Sequence, residues 1–400
     1  MVDRTRHPQR QVFLLATAQA LFQAVSVLVM TIGGLAGSAI SSIPELATVP
    51  IASMFMGTAV ATVPASMWMS RVGRRTGFTA GAMLGFLGGL TAASGIYLES
   101  LTVLSMGTFL VGTYQSFAQF YRFAAAEASD AAFRSRAISL VLAGGVVAAF
   151  LGPWLARLGG PLLHPAYTGS FLILAVLSLL AAGLLQGLRI APPAPAAQAA
   201  TPARPLLMIF MQPPYLVALF SAATGYGIMI LAMTATPLAM TGHHHNLSDT
   251  ASVIQLHVLG MFLPSFVTGS LIGRFGVCRV MLAGTALFAG HILLAISGTG
   301  FPSYALALMV LGIGWNFLYV GGTTLLMRTY SVAEQGRAQA LNDLVIFVVG
   351  LASSLAAGAL HQAFGWQTMN LVLLPWVTST ALALLWLARS QYRELLVRAG

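Results

Sequence analysis

Two helically spaced pairs of soft side chains are the groups in this sequence best suited to chemistry: Met229-x-x-x-Met233 and His257-x-x-x-Met261. A spacing of four puts both members of a pair on one face of a helix. Each pair lies in a long apolar stretch, and the two stretches are consecutive in the chain. Met233 and His257 each stand seven residues from the outer end of their stretch, and Met229 and Met261 each stand eleven. At 1.5 Å per residue the pairs are expected about 10 and 16 Å deep, the second near a bilayer midplane. Neutral thioether and imidazole groups suit a soft monovalent ion, Cu(I) above all. Zinc or iron would call for a carboxylate or thiolate as well, and neither stretch contains one. Methionine is also an ordinary filler of apolar cores, whereas an intramembrane histidine is a functional candidate in its own right. Matched depth in both pairs is what points to a metal path.

The elements that must position these groups are membrane spans. Of 400 residues 58% are hydrophobic and 7% charged, against about a quarter charged in soluble domains. That excludes a cytosolic enzyme and a disordered chain. A formal charge of +10 would suit nucleic acid, but the charges fall at one side of a membrane, so no nucleic-acid partner is expected. Twelve apolar stretches can be cut, at 12–38, 46–70, 76–98, 101–122, 137–156, 168–188, 213–240, 250–273, 280–300, 303–327, 338–360 and 366–388. Each is near the roughly 20 residues that cross a bilayer core as a helix. An all-α membrane protein follows, since a helix satisfies its own backbone polar groups. The N-terminal stretch reads as a first span rather than a signal peptide. Cys278 is the one cysteine, so no intrachain disulfide exists.

All 19 basic residues are arginine, and eighteen lie on one side of this layout, Arg157 being the exception. The positive-inside rule then places both termini in the cytoplasm. A Pro/Ala-rich linker, 189–212, separates a first six-helix unit, 1–188, from a second, 213–400. The units match at an offset of 203: Arg71 falls on Arg274, Gly73 on Gly276, Gly57 on Gly260 and Met30 on Met233. The same offset relates His257 to Met54, so Met30 and Met54 are expected as secondary soft ligands facing the first set, or else as core. The outer run His243-His244-His245 could gather metal or simply be an exposed polar loop. Asp343, within the eleventh span beside Asn342, is the candidate for ion coupling.

Twelve spans, a central linker and the loop Arg71-x-Gly73-Arg74-Arg75 resemble the major facilitator superfamily, whose loop runs Gly-x-Leu-x-Asp-Arg-x-Gly-Arg. Here Ser66 and Ser70 replace the first glycine and the acid; in the second loop Gly269, Leu271, Arg274 and Gly276 match, with Gly273 for the acid. The resemblance implies two six-helix pseudo-repeats with gating loops at Arg71, Gly73, Arg74, Gly269, Arg274 and Gly276. The paired motifs and the runs around them are further similar to the CcoA-like (CalT) copper-importer branch. That resemblance implies a multi-pass protein of the bacterial inner membrane importing copper for cytochrome oxidase assembly, notably the cbb3 type. It implies Met229, Met233, His257 and Met261 as copper ligands. The expected partners are the copper ion as cargo, the lipid bilayer and a cytoplasmic copper-accepting protein. The chain is expected to be monomeric, with no resident cofactor and no enzymatic activity. Two alternatives stay open: a drug or metabolite exporter, suggested by Gly144-Gly145 and Gly152-Pro153, and a copper sensor or chaperone that does not transport.

Overall fold

Long apolar runs punctuated by glycine, proline and arginine fold into helices, and among the described residues there is no strand. The structure is a computed structural model that describes residues 8–129, 134–190, 204–331 and 334–399. Arg4, Arg6 and residues 191–203 of the expected linker lie outside the described residues. In the first half the helices are α1 (Pro8–Ile40), α2 (Val49–Val72), α3 (Arg74–Tyr97), α4 (Leu101–Ala118), α5 (Tyr121–Glu127), α6 (Arg134–Gly159) and α7 (Thr168–Leu185). A 3-10 turn, Pro44–Thr48, leads into α2. In the second half they are α8 (Leu206–Phe210), α9 (Pro213–Gly242), α10 (Leu247–Phe262), α11 (Ser265–Phe275), α12 (Val277–Ile296), α13 (Phe301–Leu326), α14 (Gln335–Leu371) and α15 (Leu374–Ala399). Proline opens α2, α9 and α13, where a missing N–H is not needed. Ser100 and Asn246 cap α4 and α10 by accepting from Val103 N and Asp249 N.

Among the described residues nine helices are long and apolar enough to cross a membrane, or ten when the bent pair α10–α11 is taken as one span. One of the nine, Arg337–Ser390, is broken at Gly365, where φ is 70°, and so holds two passes. Helix α4 is diluted by Thr113, Gln115 and Ser116. With it, twelve passes in the expected places are consistent with the structure.

Close helix contact rests on absent side chains. A Cβ at Gly112 would strike the Met54 carbonyl, and one at Gly57 the Phe109 carbonyl, so α2 and α4 touch along their backbones. In the second half a Cβ at Gly312 would strike His257 O, and one at Gly260 would strike Met309 O, so α10 and α13 touch alike. The offset that relates Gly57 to Gly260 thus marks the same packing job in both halves. Small residues carry such contacts because apolar burial gives little drive in lipid. Gly73 and Gly276 both have φ of 86° and end α2 and α11 before the next helix starts.

The 41° bend between α10 and α11 falls at Leu263 and Pro264. A neighbour satisfies the backbone there. Asn316 of α13 donates to Met261 O at 2.7 Å and to Ser265 Oγ at 2.6 Å, while accepting from Thr268 Oγ1 at 2.6 Å. This network fixes the end of α10 that carries Met261.

At the end of the bundle away from the arginine loops the halves close on each other. Leu238 Cγ lies 3.7 Å from where a Cβ on Gly34 would stand, Leu247 packs on Gly160, and Arg157 Nη1 donates to Ser248 Oγ at 3.3 Å.

Candidate functional site

A cavity opens between the halves, through the middle of the bundle and toward the arginine-bearing end. The first half contributes amides: Gln19 and Gln23 from α1, Gln115 from the end of α4 and Gln119 just beyond it, followed by Arg122 of α5. The second half contributes rings: Tyr226 from α9, Trp315 and Tyr319 from α13, and Phe347 from α14 with Asp343 one turn before it. Helices α1, α9, α10, α13 and α14 thus each show the cavity residues three or four apart, on one face. Trp315 and Tyr319 stack at 4.8 Å between ring centroids with planes 12° apart. Tyr226 meets Phe55 and Phe347 edge to face, at 6.2 and 6.1 Å. The rings are therefore held by one another. The cavity measures about 160 Å³, about ten times what a single water needs.

The structure brings together only part of the expected soft-ligand set. Met229, Met233 and Met261 line this cavity, and so does Met30 from the first half. His257 is not among the lining residues. It is fully buried, with Nδ1 2.7 Å from Leu308 O of α13. The expected tetrad is therefore not assembled on one cavity wall: α13 packs backbone to backbone on α10 and draws the imidazole to itself. Met54 is 1% exposed in the core and does not line the cavity. The three outer histidines do not converge. His243 Nδ1 is 2.8 Å from Ala239 O and 2.9 Å from the Tyr304 hydroxyl, and His245 Nε2 is 2.8 Å from Thr299 O. His244 is exposed with φ of 65°. No group of three His, Cys, Asp or Glu side chains among the described residues could share an ion.

The two arginine loops differ. Arg74 forms a bidentate pair with Glu127 of α5, at 2.7 and 3.1 Å, so Glu127 supplies the acid that Ser70 lacks. Arg274 lies over its neighbour Phe275 at 5.3 Å and has no carboxylate partner among the described residues. The second half uses its acid elsewhere. Glu334 takes a bidentate pair from Arg204, at 2.7 and 2.8 Å, and a bond from Ser331 N at 2.9 Å. The Arg204 guanidinium, with the Ser331 N–H, holds the Glu334 carboxyl well below the usual carboxylate range. Arg71 is exposed, and Gly269 has open space around it.

Sequence reading missed the amides and the aromatic wall. A signal was present: Gln19/Gln23, Gln115/Gln119 and Trp315/Tyr319 are each four apart within apolar stretches. Paired glutamines in a span are costly unless they face a wet or ligand-filled space.

The Major Facilitator Superfamily model matches residues 224–398. The riboflavin transporter RfnT of Brucella anthropi is 39% identical over 381 residues, covering 94% of each chain. The chain belongs to the major facilitator superfamily. It is a multi-pass membrane transporter of that superfamily, similar also to the uncharacterized MFS-type transporter YdeG of Bacillus subtilis, with 26% identity over 91% of this chain and 88% of that one. The fold of this major facilitator matches the crystal structure of a nucleoside transporter, NupG, at a TM-score of 0.71, with 14% identity over 93% of this chain and 99% of the other.

Proposed function

We propose that the protein takes up riboflavin, or a close tricyclic relative, across a bacterial inner membrane, with both termini cytoplasmic. The observation that carries this reading is the cavity itself: a wall of held rings, Trp315 on Tyr319 with Tyr226 and Phe347, facing four glutamines. A planar heterocycle stacks on the rings and hydrogen-bonds to the amides, and a site of this kind sets orientation with a few polar groups in an apolar pocket. The likeness to a riboflavin transporter over nearly the whole chain supports the same substrate. The cavity reaches the arginine-bearing end, which suits release to the cytoplasm. Asp343 is the one acid among the described lining residues and is the candidate for proton coupling. The test is uptake of radiolabelled riboflavin by a riboflavin auxotroph with no other uptake system. Rescue of growth at low external riboflavin is the expected result; accumulation no greater than in cells carrying the empty vector would reject it.

A second reading, copper import in support of oxidase assembly, draws on Met30, Met229, Met233 and Met261 lining one cavity. Thioethers suit Cu(I), but the space exceeds that of a bare ion, and His257 is engaged with Leu308 O. Radiocopper accumulation in proteoliposomes, lost in Met233→Ala, would favour it over the flavin reading.

A further inference from the structure

Among the described residues three buried polar atoms on the cavity have no partner: Arg122 Nε, in a side chain only partly buried, and two deeper ones, Gln115 Oε1, an acceptor from the first half, and Trp315 Nε1–H, a donor from the second. Both side chains are more than nine-tenths buried. Buried polar groups are almost always paired, and leaving one unpaired is costly. His257 Nε2 is also unpartnered, but that residue does not line the cavity. Trp315 cannot swing freely to find another partner, because Tyr319 stacks on its face and Phe262 meets it at 6.3 Å. An unoccupied acceptor and an unoccupied donor on one cavity describe a ligand that offers the reverse pair.

We infer that Gln115 and Trp315 are the specificity-determining residues, reading the imide edge of an uncharged planar heterocycle. Gln115 Oε1 accepts from the imide N–H, and Trp315 Nε1–H donates to a ring carbonyl. Arg122 and Asp343, one of each sign, line the same cavity, so its formal charge balances and favours a neutral ligand. A site built to hydrogen-bond a group rejects the analogue that lacks it, because the protein atom is then left unpaired. The inference rests on the flavin reading above and names the atoms that would recognise the flavin.

Uptake of riboflavin is compared with uptake of 3-methylriboflavin, in which the imide N–H is replaced by N–CH3. Wild-type protein should take up the methyl analogue with a KM about tenfold higher, the scale of one lost hydrogen bond. Gln115→Leu keeps the bulk and removes the acceptor. It should raise the riboflavin KM about tenfold and treat both compounds alike, whereas a purely steric clash with the methyl would persist in this variant. Gln115→Glu restores an acceptor and should recover preference for riboflavin, which separates recognition from misfolding. Trp315→Phe keeps a ring and should raise KM with little change in kcat. Riboflavin uptake that is indifferent to the methyl, or discrimination that survives Gln115→Leu, overturns the assignment while leaving the flavin reading intact. No riboflavin uptake by wild-type protein overturns both.

Discussion

Gly73 and Gly276 end their helices at the same φ of 86°, and Gly112 and Gly312 bring α4 and α13 against α2 and α10 in the same way. The side chains hung on these matching scaffolds share phenylalanine and methionine but differ in their polar groups. The first half turns four glutamines and Arg122 to the cavity, beside Phe22, Met30 and Phe55; the described lining of the second half has no glutamine and offers Tyr226, Trp315, Tyr319, three methionines and Asp343. The first locks its loop arginine to Glu127, whereas Arg274 in the second has no carboxylate partner among the described residues. Positions where a Cβ meets a neighbouring carbonyl admit one residue type. Positions that face open space admit many, so repeats keep their contacts and diverge in their lining.

The sharpest way to break the parallel is to load both scaffolds. Gly112→Leu and Gly312→Leu each push a side chain into a backbone carbonyl and should cost about 3 kcal/mol or more. Monodisperse protein recovered from membranes should collapse for both; loss in one half alone would show that the packing roles differ. Next in size is the asymmetry of lining. Trp315→Ala removes the stacking surface and should weaken riboflavin binding by about 2 kcal/mol, the scale of heterocycle stacking on aromatic side chains, read as a rise in Kd by tryptophan-independent equilibrium binding. Gly73→Ala and Gly276→Ala force a side chain to positive φ and should each cost about 1–2 kcal/mol of stability, by equal amounts in thermal unfolding. Glu127→Gln breaks a half-exposed pair worth about 0.5 kcal/mol, with a loss that shrinks in high salt, whereas Arg274→Gln should leave unfolding unchanged. The smallest effect is one of pH. Glu334 has its carboxyl depressed by Arg204 and Ser331 N, so its contribution to docking Arg204 is full above the ordinary carboxylate range. It fades only as pH falls through the depressed native value. Proteolysis after Arg204 should therefore stay slow at mildly acidic pH in wild-type protein and rise at all pH values in Glu334→Gln.

Fold was legible because it rests on patterns of a single kind: apolar length, arginine placement and the 203-residue offset. The offset even marked Gly57 and Gly260, whose shared packing role only coordinates reveal. The site was less legible because a residue's type does not say which neighbour it faces. Met229, Met233 and Met261 reach the cavity as their spacing suggests, but His257 at the same spacing turns to Leu308 O, since α13 lies backbone-close beside it. Glu127 is the partner of Arg74, a pairing across 53 positions of chain that no spacing in the sequence marks. The glutamines were outweighed by sulfur in a sequence so poor in charge.

The closed end of the bundle has a consequence of its own. Its described contacts include Gly34 against Leu238, Gly160 against Leu247, Gly358 against the Glu45 carbonyl and Thr48, and a bond from Arg157 to a serine hydroxyl. Among the described residues, parting these surfaces breaks no ion pair. Opening toward the far side should therefore be indifferent to ionic strength and governed by how readily lipid lets smooth, small-residue surfaces pull apart, which makes bilayer composition the natural regulator of its rate.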